Sequence, residues 1–318
     1  MKHNHSLKPA PSFKVPAWIP WSIRLLEHIA PRLALNLALQ LFFRPISFKT
    51  PPEERKWQKK ASTKTLLAGG MRFTLYRWRK KGPKVLLVHG WSGRGTQFYK
   101  LIKKLLQNGY QPHAIDAPGH GRYPAKKTDL LKFVQAIETV NKESGPFYAM
   151  IGHSLGGVAI VNAAIRGLPV QKLVVIGSPA LISNTVRDFC RRIGASQKTE
   201  ESLSMKLKEI YGENIQDYSL ASIVSRLSIP GLIIHDTDDN DVSYSEALMT
   251  HQNWPGSRLY TTSGLGHRRV LKDKEVSKKI IRFLDKDISL RSLTKEQIQQ
   301  LFIKKNNTSE NDTSSQNP

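Results

Sequence analysis

The chain of 318 residues contains a single cysteine, Cys190. One thiol excludes an intrachain disulfide, and a reducing, cytoplasmic compartment is the expectation. No motif surrounds Cys190, so it reads as a packed structural thiol rather than a reactive one. Long apolar runs are also missing. The first strongly apolar stretch, Leu33 to Phe43, is interrupted by Asn36 and Gln40 and falls far short of the roughly 20 residues a spanning helix needs. No secretory signal is expected ahead of it. Acidic residues are scarce: 25 Asp and Glu stand against 49 Lys and Arg, for a formal net charge of +24. The surplus is uneven, with 18 Lys and Arg against 3 Asp and Glu in residues 1–84. Such charge bears on anionic partners (lipid headgroups, nucleic acid, acidic substrates) and leaves the fold open; a merely solvated basic face is the plain alternative. No Cys/His set has metal-ligand spacing, and no RRM, zinc-finger or helix-turn-helix pattern accompanies the charge. Neither a metal, an organic cofactor nor nucleic acid is therefore expected.

The length suits one large α/β domain with extensions. Residues 1–64 read as a basic N-terminal arm and amphipathic helix. Within them, 1–20 are rich in Pro and Lys, 21–43 are helical with a break or bend at Pro31, and 44–64 form a connector. Leu33, Leu35, Leu37, Leu39 and Leu41 alternate as in a strand, but Arg32, Asn36 and Gln40 recur every four residues, a narrow polar stripe that favours the helix. Such a helix either packs on the main domain or lies peripherally on an anionic membrane, at its inner face. From Arg72 onward strands near 72–78, 84–89, 113–116, 147–151, 172–177, 232–235 and 258–261 alternate with helical stretches. Repeated βα units specify a mostly parallel sheet with helices on both faces. The core then spans 65–179 and 229–290. Residues 180–228, too long for an ordinary connection, form a short helical lid in this reading. Residues 291–318 read as a helix, opened by the Thr294/Gln297 capping box, and a disordered polar tail.

The chemistry-bearing signal is Gly152-His153-Ser154-Leu155-Gly156, a G-x-S-x-G between a buried strand and a helical stretch. A serine on that turn is raised above the sheet, and its small neighbours are needed for close approach. A hydroxyl at neutral pH needs a base, and the base needs an orienting acid. His235, His251 and His267 are the histidines downstream of Ser154. His267, in Gly264-Leu265-Gly266-His267-Arg268-Arg269, sits in a glycine-flanked loop after the last strand and is the expected base. His235 ends a buried strand and His251 lies on a helix, so both read as structural. The acid must come from Asp236, Asp238, Asp239 or Asp241, each of which could equally be an Asx-turn residue. Backbone amides of Leu155 and of Trp91, in His89-Gly90-Trp91-Ser92-Gly93, could form an oxyanion hole, with His89 ordering the loop. The loop Asp116-Ala117-Pro118-Gly119-His120-Gly121 reads as architecture.

These segments, in this order over residues 68–288, resemble the α/β-hydrolase superfamily, in particular uncharacterised bacterial members. The resemblance implies the α/β-hydrolase fold and a Ser154, Asp239, His267 triad. Asp239 is chosen by likeness to the superfamily's small-x-x-Asp-x-x-Val turn, with Asp238 as runner-up. Three departures stand out: Asp236 for glycine, Ser243 for proline after the acid loop, and Arg122 for a small residue. The expected function is cleavage of a small-molecule acyl ester or thioester through an acyl-enzyme, without cofactor. The alternative is a non-catalytic or acyl-transferring protein of this fold at an anionic membrane surface, as the basic N-terminus suggests.

Overall fold

The structure is a computed structural model that describes residues 15–78, 81–212 and 215–285. Residues 1–14, the Thr294/Gln297 capping box and the polar tail lie outside the described residues. Eight strands form one sheet: β1 (Ser62–Ala68), β2 (Met71–Arg77), β3 (Lys84–Val88), β4 (Gln111–Asp116), β5 (Ala149–His153), β6 (Lys172–Ile176), β7 (Gly231–Asp236) and β8 (Arg258–Thr262), in the order β1-β2-β4-β3-β5-β6-β7-β8. β1, β2 and β4 pair antiparallel, and every pairing from β4 to β8 is parallel. The central strands are buried apart from Lys84 at the start of β3, because helices cover both faces and every buried position must be apolar or paired. Alternation divides them between two cores. Leu86, Val88, Met150 and Val175 pack with the Leu130–Ser144 and Leu155–Ile165 helices. Val85, Leu87, Ile151 and Val174 pack with the Tyr99–Gln107 and Lys274–Asp285 helices.

The N-terminal region departs from its expected boundaries. The helix begins at Trp18 and is two helices, Trp18–Ile29 and Pro31–Phe43. Pro20 fits because a first-turn residue needs no amide donor, and Pro31 opens the second helix after Ala30 leaves helical geometry at φ −152°. The stretch expected as a connector contains a further helix, Pro52–Lys59, and the start of β1. β1 is an edge strand whose side chains are exposed apart from Leu66 and Ala68, so it carries no apolar alternation. Its signal is the Gly69-Gly70 turn, where φ values of 52° and 76° close a two-residue hairpin only glycine accepts easily.

The N-terminal pair packs inward on the excursion between β6 and β7. Ile19, Ile23 and Ala38 meet Ile193, while Phe43 joins Val186, Cys190, Leu203 and Leu207. Those partners lie on the Ile182–Ile193 and Gln197–Tyr211 helices. Cys190 is buried there, and burial, with Glu200 and Glu27 nearby, pushes its thiol up to about 12. The native chain should therefore resist a thiol reagent that modifies it stoichiometrically once unfolded. Rapid titration of the folded protein would contradict this packing. No helix among the described residues is long and apolar enough to cross a membrane.

Candidate active site

β5 ends at His153 and a helix begins at Leu155, leaving Ser154 alone at the corner with φ 52° and ψ −124°. L residues rarely adopt this conformation, and it persists only because the surroundings enforce it. The amide of Ser154 is tied to the Ile176 carbonyl at 2.9 Å. A Cβ on Gly156 would collide with the Val88 carbonyl, and one on Gly152 with the backbone of Gly156 and Gly157. The two glycines of the motif are thus demanded by packing. The loop after β3 passes over the serine so closely that a Cβ at Gly90 would lie 2.7 Å from Ser154 Cβ. Trp91 and Leu155 line the same cavity as Ser154. Among the described residues neither of their amides has a hydrogen-bond acceptor.

The aspartate-rich turn after β7 divides its labour. Asp236 accepts hydrogen bonds from the amides of Asp238, Leu265 and Gly266 and from the Thr262 hydroxyl, at 2.7–3.1 Å. Asp238 accepts the Gly264 amide at 2.7 Å. Both carboxylates therefore hold the backbone of the loop bearing His267. Asp239 instead faces the imidazole, its Oδ2 at 2.7 Å from His267 Nδ1. Its Oδ1 accepts the amides of Asp241 and Val242. Burial by itself would raise this carboxyl, but the hydrogen bond and charge of His267, the Val242 amide and His235 outweigh it and hold Asp239 below the usual aspartate range. Asp236 is the larger part of the loop's anchoring.

His267 and Ser154 line one cavity. The serine hydroxyl has no hydrogen-bond partner among the described residues, a looseness usual before substrate binds. His153 was not singled out by its position in the motif, yet its Nε2 donates to the His267 carbonyl at 2.8 Å and the two rings lie 4.6 Å apart. His235 donates to the Val242 carbonyl at 2.9 Å, and His251 pairs with the Ser257 hydroxyl at 2.7 Å. Neither lines the cavity. His89 accepts the Ala117 amide and donates to the Gly90 carbonyl, and His120 accepts the Ser92 amide. Asp116 accepts the Gly95 amide and the Tyr76 hydroxyl. The loops after β3 and β4 are cross-braced by these buried groups.

Burial holds several histidines neutral: His113, buried on β4, and His120 fall to about 4 and His153 to about 3, from an ordinary 6.5. Unfolded, each takes up a proton near 6.5, so the unfolded chain binds more protons below that pH. Stability is fully present above it and is lost as pH falls toward 4, by up to about 1.4 kcal/mol per pH unit for each group. Asp116 and Glu54, whose carboxyls burial raises, offset part of the loss at the acid end. The urea midpoint should fall clearly between about pH 7.5 and pH 5; a flat or rising midpoint would contradict the assignment.

Two anchoring contacts join stretches too far apart in the chain to pair by inspection. Arg192, on the excursion, forms an ion pair with Asp241 at 2.8 Å. Glu246 accepts the Ala180 and Leu181 amides at 2.6 and 3.1 Å. Asp239, Asp241 and His267 bring potential metal-ligand atoms within 4.8 Å of one another. Arg192 and His267 already engage the two carboxylates, so a cation would have to displace these partners.

The cavity holds about 1130 Å³. Leu155 and Val158 line its floor beside the serine, and Phe42, Ile182, Phe189 and Leu207 line it from the N-terminal pair and the excursion. A mostly parallel sheet carrying a strained serine on a strand-to-helix corner defines the α/β-hydrolase class of fold. A profile of the alpha/beta hydrolase family matches residues 85–278, more than half of the chain, and the chain belongs to that family. It is 32% identical over 97 residues to the pimeloyl-[acyl-carrier protein] methyl ester esterase of Xanthomonas campestris pv. campestris, covering 30% of this chain and 37% of that protein. It is 25% identical over 167 residues to the sn-1-specific diacylglycerol lipase ABHD11 of Xenopus laevis, covering 49% of this chain and 51% of the relative. The chain thus spans about half or less of the length of these curated relatives. Among solved structures, alpha/beta hydrolase domain-containing protein 10 from mouse superposes with a TM-score of 0.57 at 19% identity, covering 73% of this chain and 100% of that one.

Proposed function

We propose that this chain is a serine hydrolase that cleaves an ester or thioester through an acyl-enzyme. The observation that carries the reading is a strained serine, Ser154, sharing one cavity with a histidine that a buried carboxylate holds by Nδ1. With its Nδ1 proton directed at Asp239, His267 has Nε2 free to accept a proton. Ser154 Oγ bonds to the acyl carbon as its proton passes to His267. The carbon–oxygen or carbon–sulfur bond then breaks, and the departing alcohol or thiol takes that proton. Water, deprotonated by His267, attacks the acyl-enzyme, the acid leaves and the serine regains its proton. The Trp91 and Leu155 amides stabilise the negative oxygen formed in each step, a contribution worth about 10²- to 10³-fold for each donor. The excursion over 180–228 acts as the lid.

An apolar cavity of about 1130 Å³ suits a substrate with a bulky apolar acyl or alcohol group. The relatives named as a methyl ester esterase and a diacylglycerol lipase support ester chemistry on such groups. The test is a panel of esters and acyl thioesters of graded chain length, assayed with the parent and with Ser154→Ala. Turnover by the parent well above the variant is expected for at least one member. A parent no faster than the variant on every member rejects the proposal.

A further inference from the structure

The Trp18–Ile29 helix is apolar on two sides. Ile19 and Ile23 face inward, and Glu27 is turned to the excursion, where it accepts from the Ser196 amide and hydroxyl and from the Thr199 hydroxyl. On the other side Trp18, Trp21, Leu25 and Ile29 stand exposed, three of them by 61%, 67% and 69% (Trp18, Trp21, Ile29). At 3.6 residues per turn these four fall within an arc of about 80°. Leu33 extends the exposed stripe into the next helix. Arg24, His28 and Arg32 are exposed on the same pair of helices, and Glu27 is the lone acid in residues 15–43. The face presented outward is therefore tryptophan-rich, aliphatic and basic, the composition of helices that lie in a membrane interface.

A second set of residues links that face to the cavity. Trp18 belongs to both, and the exposed side chains of Ile46 and Phe48 also line the cavity. Among the described residues, every charged one that both lines the cavity and is exposed is a cation: Arg44, Lys49, Lys126, Arg268 and Lys272. The lining acids are buried or half-buried; Glu54 is near Arg94, Asp188 pairs with Arg191, Asp241 with Arg192, and Asp129 and Glu246 hold backbone amides. An apolar mouth rimmed by cations next to an exposed apolar stripe complements an anionic lipid surface in both charge and polarity.

We propose that the outer face of the Trp18–Ile29 helix docks on an anionic phospholipid bilayer with the cavity mouth against it, and that the ester substrate passes into the cavity from that bilayer. The second half rests on the hydrolase reading; the docking does not. The test is co-sedimentation of the full chain with phosphatidylcholine vesicles with and without phosphatidylglycerol. The variant is Trp21→Glu/Ile29→Glu, whose positions are exposed and outside the cavity lining. The parent should bind only the phosphatidylglycerol vesicles, less tightly as salt rises. The double variant should bind about ten-fold more weakly or less still, and cleave a short soluble ester at the parent's rate. Ser154→Ala should bind as the parent does. A parent indifferent to phosphatidylglycerol, or a double variant that binds like the parent, overturns the proposal. So does a parent dimer that the double variant dissolves without any vesicle binding, because a second copy then covers the face. Vesicle binding by a chain that cleaves no ester supports the docking and overturns only the hydrolase reading.

Discussion

Ser154→Ala is expected to lower kcat on a short p-nitrophenyl ester by about 10⁴-fold or more, with little change in KM. In the proposed mechanism the hydroxyl forms the acyl bond, so its loss would remove the covalent route and leave only what the cavity and the Trp91 and Leu155 amides supply to direct attack by water. Folding should be nearly unaffected. The Ser154 side chain makes no hydrogen bond to a described residue, and the strained φ of 52° persists because the glycine packing and the Ser154 amide bond to Ile176 are unchanged. Steady-state kinetics beside a thermal melt checks both halves. Equal rates for variant and parent would remove Ser154 from the mechanism.

Asp239→Asn should cost about 10⁴-fold in kcat, and Asp238→Asn no more than a few-fold. The two carboxylates are neighbours in sequence and differ in what they face. Asp239 Oδ2 accepts from His267 Nδ1, whereas Asp238 Oδ2 accepts a backbone amide, that of Gly264. An asparagine at 239 can keep the Asp241 and Val242 amides on its oxygen while turning its NH₂ toward the ring. Nδ1 then has to accept, the imidazole holds its proton on the wrong nitrogen, and in the proposed mechanism Ser154 loses its base. At 238 an asparagine oxygen still accepts the Gly264 amide, so the loop keeps its place. Kinetics of the two variants on one ester separate these roles, and severe loss at 238 with little at 239 would move the acid by one residue.

The inner parallel strands were legible because burial on both faces leaves apolar runs, as in Val85-Leu86-Leu87-Val88 and Leu173-Val174-Val175-Ile176. β1 was not, because an exposed edge strand satisfies its backbone without an apolar pattern; only the Gly69-Gly70 hairpin marks it. The Gly152-to-Gly156 corner was legible for a steric reason, since no other residue fits beside Val88 and Gly157. Likeness to the superfamily's acid turn pointed to Asp239 over Asp238, and it is Asp239 that lies against His267. What spacing does not disclose is the use of Asp236 and Asp238 to hold the His267 loop, or of Arg192 to hold Asp241. Those pairings join stretches brought together only by the sheet order. The N-terminal helices were open between packing on the domain and facing a membrane, because one helix carries an apolar face on each side and periodicity alone does not say which one is covered.

Covalent labelling tests the central claim most directly. A fluorophosphonate probe is applied to the full chain and its position mapped by peptide mass spectrometry, with His267→Ala alongside. A single adduct on Ser154, formed quickly in the parent and at least about 10²-fold more slowly without the imidazole, is the expected result. An adduct on another residue, or labelling of Ser154 at the same rate in both proteins, would contradict it.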